Sequence, residues 1–167
     1  MLDTPVSIFG LKPLLNQPLP PPSKVRALLR AQHEELRQLV MEADRLARQV
    51  QQGHTSQVEP MRATALLVAT ALNAHIDAEE RLALPYLRDL DAWGPVRAQR
   101  LLEEHEGQRA AIAVLTQLEE RGDCAELARG LRALVQTLLD DMRLEDRELL
   151  SESVLRDDLV SIDQTDG

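Results

Sequence analysis

Residues 63–85 read ATALLVATALNAHIDAEERLALP. Within this stretch Ala65, Val68, Leu72, His75, Glu79 and Leu82 recur three or four residues apart, the spacing that lines one face of an α-helix. The face is apolar except near its end, where an imidazole and a carboxylate stand one turn apart. A helix packed in a bundle buries such a face, and burying a charge without a partner is expensive.

The pattern recurs along the chain. A helix from about Lys24 to Gln52, with Ser23 as its N-cap, carries Val25, Leu29, His33, Leu36, Val40, Ala43, Ala47 and Val50, and Gly53 stops it. The helix of the opening stretch starts near Val58, with Thr55 or Ser56 as its cap, and runs to Leu84, where Pro85 bends or ends it. After the Trp93-Gly94-Pro95 turn, a third helix from Val96 to Glu120 carries Ala98, Leu101, His105, Gln108, Ile112 and Leu115. Arg121-Gly122-Asp123 breaks it. A fourth, from Cys124 to Ser151 with Asp123 as N-cap, carries Leu127, Leu131, Leu134, Leu138, Asp141, Glu145 and Leu149. Four helices of about seven turns with short loops predict an all-α, antiparallel up-down-up-down four-helix bundle. The expected organisation is a Pro-rich N-terminal arm over residues 1–22, the bundle over 23–160 and a polar tail over 161–167. Ile8, Phe9, Leu11, Leu14 and Leu15 could dock the arm on the bundle. Tyr86 and Trp93 are expected to cover the bundle's rim.

Composition narrows the function. Aromatic residues make up 2% of the chain, so Leu, Ala and Val must build the core. A net charge of −9 argues against nucleic acid and against an anionic membrane surface as partners. With Cys124 as its one cysteine, the chain has no internal disulfide and no cysteine-based zinc site, and Cys124 itself reads as a capping-region residue. No run of apolar residues is long enough to span a bilayer and no signal peptide is evident, so a cytoplasmic location is expected. His54 falls in a loop and is expected to be exposed.

His75 with Glu79, and Asp141 with Glu145, each place two donors on one helix face. His33 and His105 come from the other two helices, all near mid-helix and at similar depth. A cluster of metal ions is the simplest shared partner, with Glu79 and Glu145 bridging and His33, His75, His105 and Asp141 as terminal ligands. Three nitrogens and three carboxylates suit iron, or manganese, better than structural zinc.

These residues also resemble a known family. Ala31-Gln32-His33-Glu34-Glu35, His75-Ile76-Asp77-Ala78-Glu79-Glu80 with Leu84-Pro85, Glu103-Glu104-His105 and Leu144-Glu145-Asp146 are similar to the hemerythrin-like, or HHE cation-binding, domain. The resemblance covers roughly residues 24–151. It implies a helical bundle around a non-haem di-iron centre that senses or handles oxygen, peroxide, nitric oxide or iron. The chain departs from the pattern at Asp141, where a histidine is usual, and at Arg109, four residues after His105, where the oxygen carriers have a second histidine. Reversible oxygen carriage is therefore disfavoured, and Arg109 would pair with a carboxylate and leave the second iron weakly held. If the site catalyses at all, weak peroxide turnover or ferrous oxidation is the expected activity. The competing reading is a metal-free relative that acts as a protein-interaction module, docking a partner through the Pro-rich arm or an acidic face, with Asp141 and Arg109 as an internal ion pair; separately, the arm could mediate a homodimer. A single-metal site using His33, His75, Glu79 and His105 is a third.

Overall fold

A computed structural model describes residues 18–160. Five α-helices follow one another: α1 Pro22–Gln51, α2 Val58–Leu82, α3 Leu84–Asp89, α4 Gly94–Glu120 and α5 Cys124–Glu148. The four long ones form the expected antiparallel bundle. α1 packs on α2 and α5, and α4 packs on α5 and α2. Among the described residues there is no strand, and no helix is long and apolar enough to cross a membrane.

Each apolar stripe faces the interior. Leu36, Val40 and Ala47 of α1, Met61, Val68 and Leu72 of α2, Ile112 and Leu115 of α4, and Leu127, Leu131 and Leu138 of α5 make one large cluster. Val25, Leu29, Ala78, Leu82, Leu150 and Leu155 form a smaller cluster at the other end, beside Leu84, Leu87, Ala98 and Leu101. Among the described residues, none of those buried in the core is Phe, Tyr or Trp. Between the two ends lies a layer of buried polar side chains: Gln32, His33, His75, Glu79, His105, Gln108 and Glu145.

Several boundaries differ from expectation, each for a local reason. α1 starts at Pro22 rather than Lys24. Proline is tolerated in a first turn because its missing N–H would be unpaired there anyway, so Ser23 is helical and not the cap. Ser23 instead gives its backbone N–H to Asp157 Oδ1 at 2.8 Å. Thr55 and Ser56 belong to a short 3-10 turn, Thr55–Gln57, and α2 has no side-chain cap. Pro85 does not merely end α2: it sits in the first turn of α3, a separate short helix. α5 ends at Glu148, where Arg30 reaches across from α1 to the carbonyls of Asp146 and Leu150 at 3.2 and 2.9 Å. Asp123 does cap α5, accepting from the Glu126 N–H at 3.0 Å. Gly53 and Gly122, with φ of 91° and 72°, make the left-handed turns that release the chain after α1 and α4.

His54 is exposed, and Cys124 is half-buried in the first turn of α5. Tyr86 ties α3 to the segment just before α1, donating its hydroxyl to the Pro20 carbonyl at 2.7 Å. Trp93 does not cover the rim, being 68% exposed. The apolar arm residues Ile8 to Leu15 and the tail 161–167 lie outside the described residues.

Gly107 occupies the middle of α4, where glycine costs about 1 kcal/mol against alanine. A Cβ there would meet nothing within 4 Å. Gly107→Ala is therefore expected to stabilise the protein by about 0.5–1 kcal/mol in a urea titration.

Candidate metal centre

Five of the six expected donors lie in the polar layer, and four of them converge. One ligand atom each from His33, His75, Glu79 and Glu145 lies within 4.8 Å of the others. His33 Nε2 is 3.0 Å from Glu145 Oε2 and 3.1 Å from His75 Nε2. His75 Nε2 is 3.5 Å from Glu79 Oε2. His105 stands beside this group, its Nε2 3.0 Å from the same Glu79 oxygen. Asp141 stands apart from it, half-buried, its Oδ2 accepting from Gln108 Nε2 at 3.0 Å. The Asp141–Arg109 ion pair of the metal-free reading does not form. Arg109 binds Glu80 at 2.7 Å and Asp77 at 3.2 Å instead.

The outer side of each imidazole is also held. His33 Nδ1 donates to Asp146 Oδ1 at 2.8 Å, His75 Nδ1 to Gln32 Oε1 at 2.9 Å, and His105 Nδ1 to Glu80 Oε1 at 2.9 Å. A ring whose Nδ1 carries the donated proton turns a bare Nε2 inward, the arrangement that orients metal-binding histidines. Arg37 in turn pairs with Asp146, and Arg109 with Glu80, so the outer carboxylates are themselves fixed.

These outer partners follow one rule. Gln32 precedes His33 on α1 but serves His75 on α2. Glu80 follows Glu79 on α2 but serves His105 on α4. Asp146 follows Glu145 on α5 but serves His33 on α1. A residue next to an inward donor sits about 100° round its helix and reaches the neighbouring one.

Electrostatics describe a pocket short of positive charge. Glu79 is 1% exposed, and burial, with the Glu145 charge beside it, pushes its carboxyl up to about 7. Burial, with His33 and His105 nearby, pushes His75 down to about 3. Burial alone would lower His33, but hydrogen bonding and charge from Glu145 and Asp146 outweigh it and hold it above its ordinary value. His105 is raised in the same way against burial by Glu79 and Glu80. Two bare Nε2 atoms 3.1 Å apart repel each other unless a proton or a cation lies between them.

The donor chemistry fits a metal ion. Neutral imidazoles and two carboxylates leave a charge of −2, which a divalent ion cancels. Glu79 Oε1, fully buried, has no hydrogen-bond partner and is free to coordinate. No Lys or Arg enters the polar layer among the described residues. Mixed nitrogen and oxygen donors suit iron or manganese more than a structural zinc site.

A family comparison agrees with this geometry. The profile of the hemerythrin HHE cation binding domain matches residues 25–152. No curated protein and no solved structure matches the chain significantly. With the match spanning all four long helices and every residue of the cluster, the chain belongs to the hemerythrin HHE cation-binding domain family.

Proposed function

We infer that this protein is a non-haem iron protein whose centre senses or handles a small ligand: oxygen, peroxide, nitric oxide or iron itself. The observation that carries this reading is the set of three inward Nε2 atoms around two buried carboxylates, with every outer nitrogen already engaged. A layer built only for packing would not hold three imidazoles in one orientation at this depth.

His33, His75, Glu79 and Glu145 would hold the first iron. Glu79 also touches His105, so these two residues would help hold a second iron. That second ion would have fewer protein donors, because Asp141 is engaged by Gln108 and Arg109 stands where a further imidazole would be needed. Iron held there would supply reversible one-electron chemistry. The chain's own residues do the rest. Asp146, Gln32 and Glu80 hold the rings in register, and the apolar clusters on either side of the polar layer keep it dry.

The test is stepwise removal of iron by a chelator, followed by metal analysis and absorption. The expected course is biphasic, with one equivalent lost well before the other. Asp141→His should strengthen retention of the weaker equivalent by about ten-fold or more, since it adds an imidazole on the same face. If Asp141→His changes only stability, the second ion is not bound there.

A further inference from the structure

Gln108 and Asp141 form a wall with a cavity on either side. Outside, the pair closes the floor of a groove of about 550 Å³ between α4 and α5, bordered by Gly107, Ala111, Gly130 and Ala133. Inside, the same two residues line a chamber of about 10 Å³, room for about one water, which also touches His75 and Glu145. Gln108 and Asp141 line both cavities and are joined by a bond from Gln108 Nε2 to Asp141 Oδ2 at 3.0 Å.

The linings define what could pass. Leu36, Leu72, Leu138 and Met142 cover the rest of the inner chamber. An anion would lose its water shell there against Asp141 and Glu145 without replacement, whereas a small neutral molecule loses little. A second pocket of about 150 Å³, lined by leucines and by Arg97, Arg100, Glu104 and Glu148, also reaches Glu145, and its basic side chains suit an anionic solute. At the groove's edge Gly107 gives up helix propensity with no packing reason for it, since a Cβ there would point into open space.

We propose that the α4–α5 groove is the access route for a neutral diatomic molecule, and that the Gln108–Asp141 hydrogen bond is its gate. The destination of the route rests on the iron reading above, but the route itself can be tested without metal. Rotation of either side chain joins groove to chamber with no movement of the helices.

Dissolved dioxygen is paramagnetic and speeds the relaxation of methyl protons it visits, so NMR of the metal-free protein under oxygen pressure maps its path. Methyls of Leu138 and Met142 should relax several-fold faster than those of Leu127 and Leu131, which are as deeply buried but line neither cavity. Asp141→Ala should increase the effect. Gly107→Leu, which improves α4's propensity while filling the groove's edge, should decrease it, as should Ala133→Phe at an exposed position. In iron-loaded protein, Gly107→Leu should slow association of nitric oxide several-fold at unchanged iron content. Equal relaxation at chamber and distant methyls, or no response to either filling variant, would overturn the route. A protein that binds no iron but keeps the relaxation pattern would overturn the iron reading and leave the route standing.

Discussion

Glu79→Gln should abolish stoichiometric metal binding while leaving the bundle folded, and should make the metal-free protein more stable at pH 8. Glu79 is 1% exposed and lies against three imidazoles and a second carboxylate. Its carboxyl is pushed up to about 7, so at pH 8 it carries a buried charge opposed by Glu145. The amide keeps the shape and removes that charge, which should raise stability by about 1 kcal/mol. The same change removes the one charged donor that touches both His75 and His105. Loss of an outer partner of a metal ligand already costs about 10- to 100-fold in affinity, so loss of this donor should exceed about 100-fold. Metal content after desalting, paired with urea unfolding of the metal-free protein, checks both halves. A variant that still retains metal would remove Glu79 from the centre.

The second large effect is a dependence of stability on pH that reverses when metal binds. In the metal-free protein, His75 is lowered to about 3 from an ordinary 6.5. The unfolded chain therefore binds more protons between those values, and this group adds stability as pH rises to about 6.5. Glu79 is raised to about 7 from 4.5, so the folded chain binds more protons there, and this group removes stability as pH rises through that window. The two slopes oppose each other where they overlap. Above 6.5 the His75 contribution is complete, while Glu79, His33 and His105, all raised, continue to lose theirs. Metal-free protein should therefore be most stable at mildly acidic pH and weaken through neutrality. A metal ion displaces those same protons, so its stabilisation should grow with pH. Thermal melts at pH 5, 6, 7 and 8, with and without ferrous iron, should show the two curves diverging. Parallel curves would mean that the cluster does not exchange protons for metal.

Much of this was legible from spacing alone. His75 and Glu79 stand out because a 3.6-residue period puts them on a stripe that is otherwise Ala, Val and Leu. The same period placed His33, His105 and Glu145 in the interior, where the structure has them. Gln32, Glu80 and Asp146 were not legible as partners of the imidazoles. Each lies beside a stripe residue, on a flank that periodicity assigns to solvent, and each serves a different helix from its own. Their signal is a polar residue immediately adjacent to an inward donor, which becomes readable only once the order of helices round the bundle is known. Asp141 lies on the expected stripe but meets Gln108, because a half-buried carboxylate takes the nearest amide donor. α3 is not legible in the sequence because Leu84-Pro85 reads equally as a stop and as a first turn.

The central claim is that the polar layer is a metal centre, and metal content per chain tests it most directly. Protein expressed with iron and desalted should carry on the order of two irons per chain, with a charge-transfer band in the near ultraviolet. The band should vanish when a chelator removes the iron. A folded, fully helical chain that retains no stoichiometric metal under these conditions would contradict the account.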